Sequence, residues 1–254
     1  LRIAVDDSGS LCQLSSKYGA PARNCESIVD EALKLDMDLV GISFHIGSGS
    51  SDAEAFAKAV KSAVPIWDMA EEKGFKMKVL DIGGGFPGDD DELFKVMTHS
   101  LASALEECFP GVHTIAEPGR YFATAMFTLV APIIGKKAPL CEEEGSVLYY
   151  LADGTYGSFN NLVYDHATVT PNPLRLHSAD EYPSDQPRDC VLFGPTCDSI
   201  DRIMDTKMKP CGVGDCVVFP NMGAYTFSAA CAFNGFATGT LFHYILPVVG
   251  ANPP

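Results

Sequence analysis

Three consecutive glycines at residues 83–85, within KVLDIGGGFPG, form the most distinctive chemical motif of the chain. They follow a short apolar run and precede a segment, residues 91–108, that reads as a helix. Glycine has no Cβ, so such a run can turn its N–H groups toward one point and let an anion approach the backbone. The junction of a strand with a helix is also where proteins commonly hold phosphate. The motif predicts a phosphate site; a tight turn without a ligand is the alternative.

Two further strand ends carry polar side chains with complementary chemistry. His45 and Ser48 lie in HIGSG, and Glu117 and Arg120 are the ends of EPGR. A hydroxyl, backbone N–H groups and a guanidinium together bind phosphate well. A carboxylate such as Glu117 would keep a pyridine nitrogen protonated, as a pyridoxal phosphate electron sink requires, and His45 could stack on that ring. Taken alone, EPGR also fits a turn with an ion pair, and His45 a satisfied polar residue.

The second half of the chain carries a thiol and several acids in polar loops. Cys197, Asp198 and Asp201 lie in GPTCDSID, after a Gly-Pro turn, where no core would recruit a cysteine. Asp165, in YDHA, either pairs with a cationic substrate tail or is a hydrogen-bonded turn acid. No spacing of His, Cys or carboxylates here resembles a zinc or calcium site.

Four predicted strands, the first three each followed by a predicted helix, position the motifs of the first half. Such units imply a parallel sheet with right-handed crossovers, and parallel barrels carry their catalytic residues at the C-terminal ends of the strands. Four strands cannot close a barrel of eight, so the sheet is either open or half of a barrel. The predicted strands are Leu1–Val5, Asp38–Phe44, Lys78–Ile82 and Val112–Ala116, and the predicted helices are Cys25–Leu35, Asp52–Lys73 and Asp91–Cys108.

After Arg120 the pattern changes to short β-type runs separated by turn-rich or Pro-rich segments. We therefore predict two domains, a partial (β/α) barrel over residues 1–122 and a mainly antiparallel β domain over residues 123–254. The predicted strands of the second domain are Phe122–Ile134, Ser146–Leu151, Asp189–Phe193, Asp215–Phe219 and Leu241–Leu246.

Composition narrows the class of protein. The net charge of −15 over 254 residues argues against binding to nucleic acid or to an anionic membrane, and no apolar run reaches the length of a membrane span. Nine cysteines without CxxC spacing suit reduced thiols in a cytoplasmic protein. The chain opens on Leu1 and at once on an apolar strand, which is typical of a piece of a longer chain.

The motifs FHIGSG, DIGGGFPG, EPGRYF, DGTYGSFN, YDHA, GPTCDSID and MGAYT together closely resemble eukaryotic-type ornithine decarboxylases. The match runs nearly end to end and in order. It implies the C-terminal half of a pyridoxal phosphate-binding (β/α)8 barrel of the alanine-racemase type, followed by a mainly antiparallel β domain. It also implies decarboxylation of L-ornithine to putrescine, in polyamine biosynthesis, by a cytoplasmic homodimer.

The resemblance assigns roles to individual residues of the cofactor site. His45 corresponds to the residue that stacks on the cofactor ring, and Glu117 to the partner of the pyridine nitrogen. The phosphate site corresponds to Ser48, Gly83, Gly84, Gly85, Arg120 and Tyr225.

A second set of roles concerns the substrate. Asp165 corresponds to the acid that binds the distal amine of ornithine. In the family, further residues cross a homodimer interface, with Asp198 reaching the substrate amine and Cys197 supplying a proton after decarboxylation. The residues of this chain that correspond to the crossing set are Tyr156, Cys197, Asp198 and Phe233.

The chain departs from the family pattern at the Schiff-base lysine, which in the family lies in the first half of the barrel. Lys78 begins its strand, at the wrong end of a barrel, and Lys136 and Lys137 lie past the barrel. The antizyme-binding stretch and the degradation tail of the family also have no counterpart. We therefore predict that this polypeptide alone neither forms the lysine–cofactor linkage nor decarboxylates.

Three alternatives stay open at this point. A related decarboxylase that acts on diaminopimelate, arginine or lysine shares EPGR and the glycine triplet, although the acids Asp165 and Asp198 favour ornithine. A non-catalytic homologue that binds antizyme, as antizyme inhibitors do, is the second. The third is a protein that binds pyridoxal phosphate without chemistry.

Overall fold

The computed structural model describes residues 1–139, 145–177, 185–237 and 239. The chain divides into two compact units, each made of several segments. The first consists of Leu1–Val130, Val163–Pro171 and Val218–Tyr225, and the second of Ala131–Leu162, Asn172–Val217 and Thr226–Pro254.

The first unit contains a short parallel sheet flanked by helices. Its elements are β1 (Ser10–Cys12), α1 (Ala22–Lys34), β2 (Gly41–Ser43), β3 (Ser48–Ser50), α2 (Ala55–Glu72), β4 (Val79–Asp81), α3 (Asp91–Cys108), β5 (His113–Ile115) and α4 (Gly119–Ala123). The parallel sheet has the order β2-β4-β5, with Ile42 opposite Leu80 and Leu80 opposite Thr114. Strands β1 and β3 form a separate antiparallel pair. The predicted strand at Leu1–Val5 forms only isolated bridges, one of them a parallel bridge between Arg2 and Ser43.

The core of the first unit lies between the sheet and its helices. Strand residues Ile42 and Leu80 are at most 1% exposed, and α2 presents Phe56 and Val60, both fully buried, to the same core. The ring of Phe56 stacks on that of Phe86, with centroids 4.4 Å apart. Because Phe86 directly follows the three glycines, this aromatic pair anchors the glycine loop to α2.

Helix α3 illustrates how the sequence fixes a boundary. Asp90 caps the helix by accepting a hydrogen bond from Leu93 N at 2.9 Å, and Asp91 and Glu92 occupy its first turn. A capping carboxylate satisfies a free N–H group, and acidic residues interact well with the positive end of the helix dipole. The glycine loop is therefore followed by a helix with a defined start.

The second sheet has six strands, which are β6 (Leu129–Lys137), β7 (Val147–Leu151), β8 (Asn172–Leu174), β9 (Arg188–Phe193), β10 (Arg202–Met208) and β11 (Cys216–Phe219). Their order in the sheet is β10-β9-β7-β6-β11-β8. Strands β6 and β7 pair antiparallel, as do β9 and β10, whereas β7 and β9 pair parallel. The parallel pair is an exception to the mainly antiparallel arrangement that the sequence predicts. A short helix, α5 (Asn161–Tyr164), lies between β7 and β8 in the chain.

The structure corrects the prediction of a strand over Phe122–Ile134. Its first part is helical, ending α4 and continuing in a 3₁₀ turn at Thr124–Met126, and the strand begins at Leu129. Strands β8 and β10 are additional to the predicted strands; β8 contains a proline, which is unusual within a strand, and β10 has charged residues at three of its seven positions. The predicted strand Leu241–Leu246 lies outside the described residues.

The division of the chain also differs from a single boundary between residues 122 and 123. Residues 123–130 belong to the first unit, and two later segments return to it. Met222 N donates to Phe127 O at 2.9 Å, and Gly223 N donates to Thr124 O at 3.1 Å. A Cβ on Gly223 would lie 1.8 Å from Ala123 O, so only glycine allows this approach.

Two classes of feature are missing from the described part of the chain. None of its helices has the length and apolar character needed to cross a membrane. No three of its His, Cys, Asp or Glu side chains are grouped as metal ligands.

Candidate active site

The glycine loop leaves strand β4 in a conformation that only glycine adopts easily. Gly83 has φ +63° and Gly85 φ +109°, and the carbonyl of Gly83 accepts a hydrogen bond from Glu117 N at 2.8 Å. Among the residues that the structure describes, none accepts a hydrogen bond from the N–H groups of Gly84 and Gly85. A buried N–H group is rarely left unpaired, and Gly84 is buried. The loop therefore offers two backbone donors to an anion.

His45 lies against this loop. A Cβ on Gly84 would be 2.9 Å from His45 Nε2 and 2.7 Å from Glu117 O, so the three residues are in close contact. Gly47 N donates to His45 Nδ1 at 3.0 Å, which leaves the ring proton on Nε2. Burial, and secondarily the charge of Arg2, lower the pKa of His45. The imidazole is thus neutral near pH 7 and has the apolar face that ring stacking requires.

Arg120 joins several of the residues that the sequence singled out. Its Nε and Nη2 donate to Ser48 Oγ at 3.1 and 2.8 Å, and its guanidinium lies 4.8 Å from the centre of the Tyr225 ring. Nη2 also donates to Asp165 Oδ1 at 2.6 Å. The structure therefore brings Ser48, Arg120 and Tyr225 together, and it adds Asp165, which the resemblance placed with the substrate.

The backbone around EPGR explains why Arg120 has this position. Gly119 N donates to Glu117 O at 2.8 Å, and Thr124 Oγ1 donates to Arg120 O at 2.9 Å. A Cβ on Gly88 would lie 2.4 Å from Arg120 O, so the end of the glycine loop packs directly on this backbone. The Glu117 side chain is exposed, and its carboxylate forms no hydrogen bond or ion pair with any described residue. It is available to a ligand.

Cys12 is a residue of this site that sequence reasoning missed. Strand pairing places Cys12 opposite Ser48, and its Sγ lies 3.9 Å from both Asp165 O and Asp165 Oδ1. Burial, together with the negative charge of Asp165, raises the pKa of the Cys12 thiol, which is therefore neutral. The stretch containing Cys12 is polar and irregular, so only the pairing of β1 with β3 reveals its position.

In the second unit, Tyr156 and Asp198 form a hydrogen-bonded pair. Tyr156 Oη donates to Asp198 Oδ2 at 2.5 Å. This bond raises the pKa of Tyr156 to about 12 and lowers the pKa of Asp198. The Tyr156 ring stacks on Phe233, with centroids 4.0 Å apart and planes 21° from parallel. Both rings line a shallow, partly open concavity.

Cys197 lies beside these residues in sequence and is exposed. Its Sγ accepts a hydrogen bond from Asn234 Nδ2 at 3.2 Å, and Asn234 has φ +54°. The second unit thus holds the four predicted residues of the second half in two neighbouring loops and a 3₁₀ turn. They are Tyr156, Cys197, Asp198 and Phe233.

Asp201 connects the loop of Cys197 and Asp198 to the turn of Tyr156. Its carboxylate is 1% exposed and accepts hydrogen bonds from Thr155 N at 2.7 Å, Thr196 N at 2.9 Å and Thr196 Oγ1 at 2.7 Å. A Cβ on Gly154 or Gly194 would lie within 2.2 Å of Asp201 Oδ1. The sequence pointed to Asp201 as one acid among several, but its position as the hub of two loops required the fold.

Comparison with known proteins agrees with this geometry. Residues 1–124 match the family model described as pyridoxal-dependent decarboxylase, pyridoxal binding domain. Ornithine decarboxylase of Mus musculus is 44% identical over 260 residues, which cover 96% of this chain and 55% of that protein. The chain is a relative of the pyridoxal-dependent decarboxylases. The chain spans about half the length of the curated relatives that it matches. Pyridoxal phosphate is the cofactor of this family.

Not every relative of the chain bears the name of a decarboxylase. Antizyme inhibitor 2 of Xenopus laevis is also 44% identical, over 97% of this chain and 56% of that protein. Among solved structures, the arginine decarboxylase of Paramecium bursaria Chlorella virus superposes with a TM-score of 0.84 at 38% identity, covering 93% of this chain and 62% of that one. The chain thus shares the fold of these decarboxylases, and the parallel sheet of the first unit fits part of their barrel.

Proposed function

We propose that the whole protein is a pyridoxal phosphate-dependent decarboxylase that converts L-ornithine to putrescine in the cytoplasm, as a step of polyamine synthesis. One observation carries the proposal. His45 and Glu117 lie against the glycine loop, whose Gly84 and Gly85 N–H groups have no acceptor among the described residues, and Arg120 binds Ser48 at the end of a neighbouring segment of the same unit. That unit includes the segment that matches a pyridoxal-binding domain.

The residues present fit the cofactor. Its phosphate needs N–H donors and a cation, which the backbone of Gly84 and Gly85, Ser48 and Arg120 supply. Its ring needs a flat apolar face, which the neutral His45 provides, and its nitrogen needs a carboxylate, which Glu117 provides. When bound, pyridoxal phosphate accepts the electron pair left behind when carbon dioxide departs from the substrate.

The protein contributes orientation and proton control to this reaction. Glu117 keeps a proton on the ring nitrogen, because an adjacent carboxylate favours the charged form of that nitrogen. Asp165 and Asp198 bind the distal ammonium of a diamino acid. A site with such acids rejects substrates that lack the amine, since the acids would be left without a partner. Cys197 returns a proton to the carbon that has lost carbon dioxide.

We further propose that the active protein is a homodimer in which each copy lends residues to the other. The lent residues are Tyr156, Cys197, Asp198 and Phe233. The Tyr156–Asp198 hydrogen bond supports this role, because it fixes an ionised acid beside Tyr156, which lines a concavity, without neutralising the charge of that acid.

The likeness to antizyme inhibitor 2 favours a second candidate, a protein that binds antizyme and has no turnover. The deciding experiment measures carbon dioxide release from ornithine, lysine and arginine by the full-length protein reconstituted with pyridoxal phosphate. The proposal is supported if ornithine is the fastest substrate. If lysine or arginine is faster, that amino acid takes the place of ornithine in the proposed reaction. Absent turnover together with capture by antizyme establishes the second candidate.

A further inference from the structure

The ion pair between Arg120 and Asp165 connects two sites that the proposed function treats separately. Arg120 Nη2 and Asp165 Oδ1 are 2.6 Å apart, and the two side chains are only 16% and 8% exposed. Arg120 is the cation proposed for the cofactor phosphate, and Asp165 is the acid proposed for the distal ammonium of the substrate. One guanidinium therefore serves both sites.

The donors of Arg120 are unevenly used. Nε and Nη2 donate to Ser48 and Asp165, whereas Nη1 forms no hydrogen bond with any described residue. A phosphate can thus bind at Nη1 while the Arg120–Asp165 pair stays in place. Asp165 Oδ1 is engaged by Arg120, and an ammonium group would share the same carboxylate.

Charge then couples the two ligands. A phosphate ester carries between one and two negative charges at neutral pH, and it would lie near the carboxylate of Asp165, which already offsets the charge of Arg120. The neighbouring Cys12 thiol is neutral and Tyr225 presents a ring face, so neither offsets the repulsion. In a largely buried site this repulsion is weakly screened. An ammonium group bound to Asp165 would neutralise the carboxylate. The positive charge of Arg120 would then attract the phosphate without the opposing repulsion from Asp165.

We propose that the phosphate of the cofactor and the distal ammonium of the substrate bind with positive linkage through the Arg120–Asp165 pair. This inference rests on the proposed function for the identity of the two ligands. Linkage is reciprocal, so each ligand raises the affinity for the other by the same factor. The pair would thus favour a diamine over a monoamine most strongly once the cofactor is in place.

The test measures binding rather than turnover. Dissociation constants for inorganic phosphate and for pyridoxal phosphate are measured by calorimetry on the full-length protein, with and without 1,4-diaminobutane. We expect the diamine to tighten phosphate binding on the order of tenfold, the usual size of such coupling, and 1-butanol, which has no ammonium group, to have no effect. In Asp165→Asn, phosphate should bind more tightly than in the wild type and the diamine effect should disappear.

A matched control is Asp68→Asn, which removes one charge from an exposed position of α2 and should leave phosphate binding unchanged. Weaker or unchanged phosphate binding in Asp165→Asn, or no diamine effect in the wild type, overturns the linkage. If Asp165→Asn does not fold, the wild-type comparison of the diamine with 1-butanol decides alone. If the protein does not bind pyridoxal phosphate, the proposed function is contradicted, and the measurements with inorganic phosphate still decide the linkage. If it binds neither pyridoxal phosphate nor inorganic phosphate, both the proposed function and the linkage are overturned.

Discussion

Tyr156 and Asp198 share one short hydrogen bond, in which the phenol donates to the carboxylate at 2.5 Å. The bond stabilises the protonated phenol and the ionised acid together, so the pKa of Tyr156 rises to about 12 and that of Asp198 falls. At neutral pH the pair carries one negative charge at a fixed position. This charge is what a cationic substrate tail requires.

Replacing this phenol should change the acid. In Tyr156→Phe the ring still stacks on Phe233, but the pKa of Asp198 rises toward its ordinary value because the donor is lost. Because the pKa of Asp198 is lowered in the folded protein, its ionised form stabilises the fold at pH values above the pKa of an unfolded aspartate. This stabilisation and the negative charge are both lost as the pH falls through the pKa of Asp198 in the folded protein. The KM for ornithine in the full-length enzyme should therefore begin to rise at a higher pH in the variant than in the wild type.

The control for this prediction is Tyr164→Phe, which removes a phenol that is 73% exposed. Its pH profile should match that of the wild type. A Tyr156→Phe profile that also matches the wild type would contradict the role of the hydrogen bond.

Asp201 should be worth more to stability than an exposed acid of the same unit. Asp201→Ala leaves the N–H groups of Thr155 and Thr196 without their acceptor, and each buried donor left unpaired costs about 1–3 kcal/mol. Urea unfolding of Asp201→Ala should therefore show a free energy of unfolding that is lower by at least about 1–3 kcal/mol. Asp189→Asn removes an acid whose pairing with Lys207 is largely exposed, and such pairs contribute about 0–1 kcal/mol. Equal losses in the two variants would refute the hub role.

The glycine loop should not accept a methyl group at Gly84. A Cβ there would meet Glu117 O at 2.7 Å and His45 Nε2 at 2.9 Å, and overpacking of this kind typically costs about 1–3 kcal/mol. We expect Gly84→Ala to weaken the binding of pyridoxal phosphate, measured by fluorescence titration. Gly212→Ala is the control, since its added Cβ would meet its nearest atom at 3.6 Å. Unchanged cofactor affinity in Gly84→Ala would show that the loop is not part of the site.

His45 should be neutral at pH 7. Its lowered pKa means that the unfolded chain binds a proton more readily, so this residue's contribution to stability is present above the ordinary pKa of His and is lost as the pH falls. A ¹⁵N NMR titration should show an imidazole that protonates below the usual range and whose signal is absent in His45→Gln. The loss of the signal in His45→Gln assigns it to His45. If that signal titrates in the wild type at or above the usual pKa range of histidine, the burial of the ring is contradicted.

Much of the first unit follows from local sequence. Helix α3 has the predicted bounds because a capping aspartate and acidic residues mark its start, and the glycine triplet marks the end of β4. The sequence also grouped His45, Glu117 and Arg120, because strands of a parallel sheet end on one side. These are short-range signals that need no knowledge of packing.

Other features depend on contacts that the sequence does not announce. The segment at Phe122 contains mainly apolar and small residues that suit either a strand or a helix; in the fold its start is helical, and Gly223 packs on the carbonyl of Ala123. Asp165 is 45 positions from Arg120, and Cys12 is 153 positions from Asp165, so neither contact leaves a periodic pattern. The buried role of Asp201 is likewise set by the two glycines that make room for its carboxylate.

The central claim is that Arg120 and the glycine loop hold the phosphate of pyridoxal phosphate, and one binding measurement tests it most directly. The affinity of the full-length protein for pyridoxal phosphate is measured in the wild type, in Arg120→Met and in Arg120→Lys. A charge-assisted hydrogen bond is worth about 1.5–3 kcal/mol, so we expect Arg120→Met to bind on the order of tenfold or more weakly, with partial recovery in Arg120→Lys. Binding by Arg120→Met as tight as that of the wild type would contradict the account.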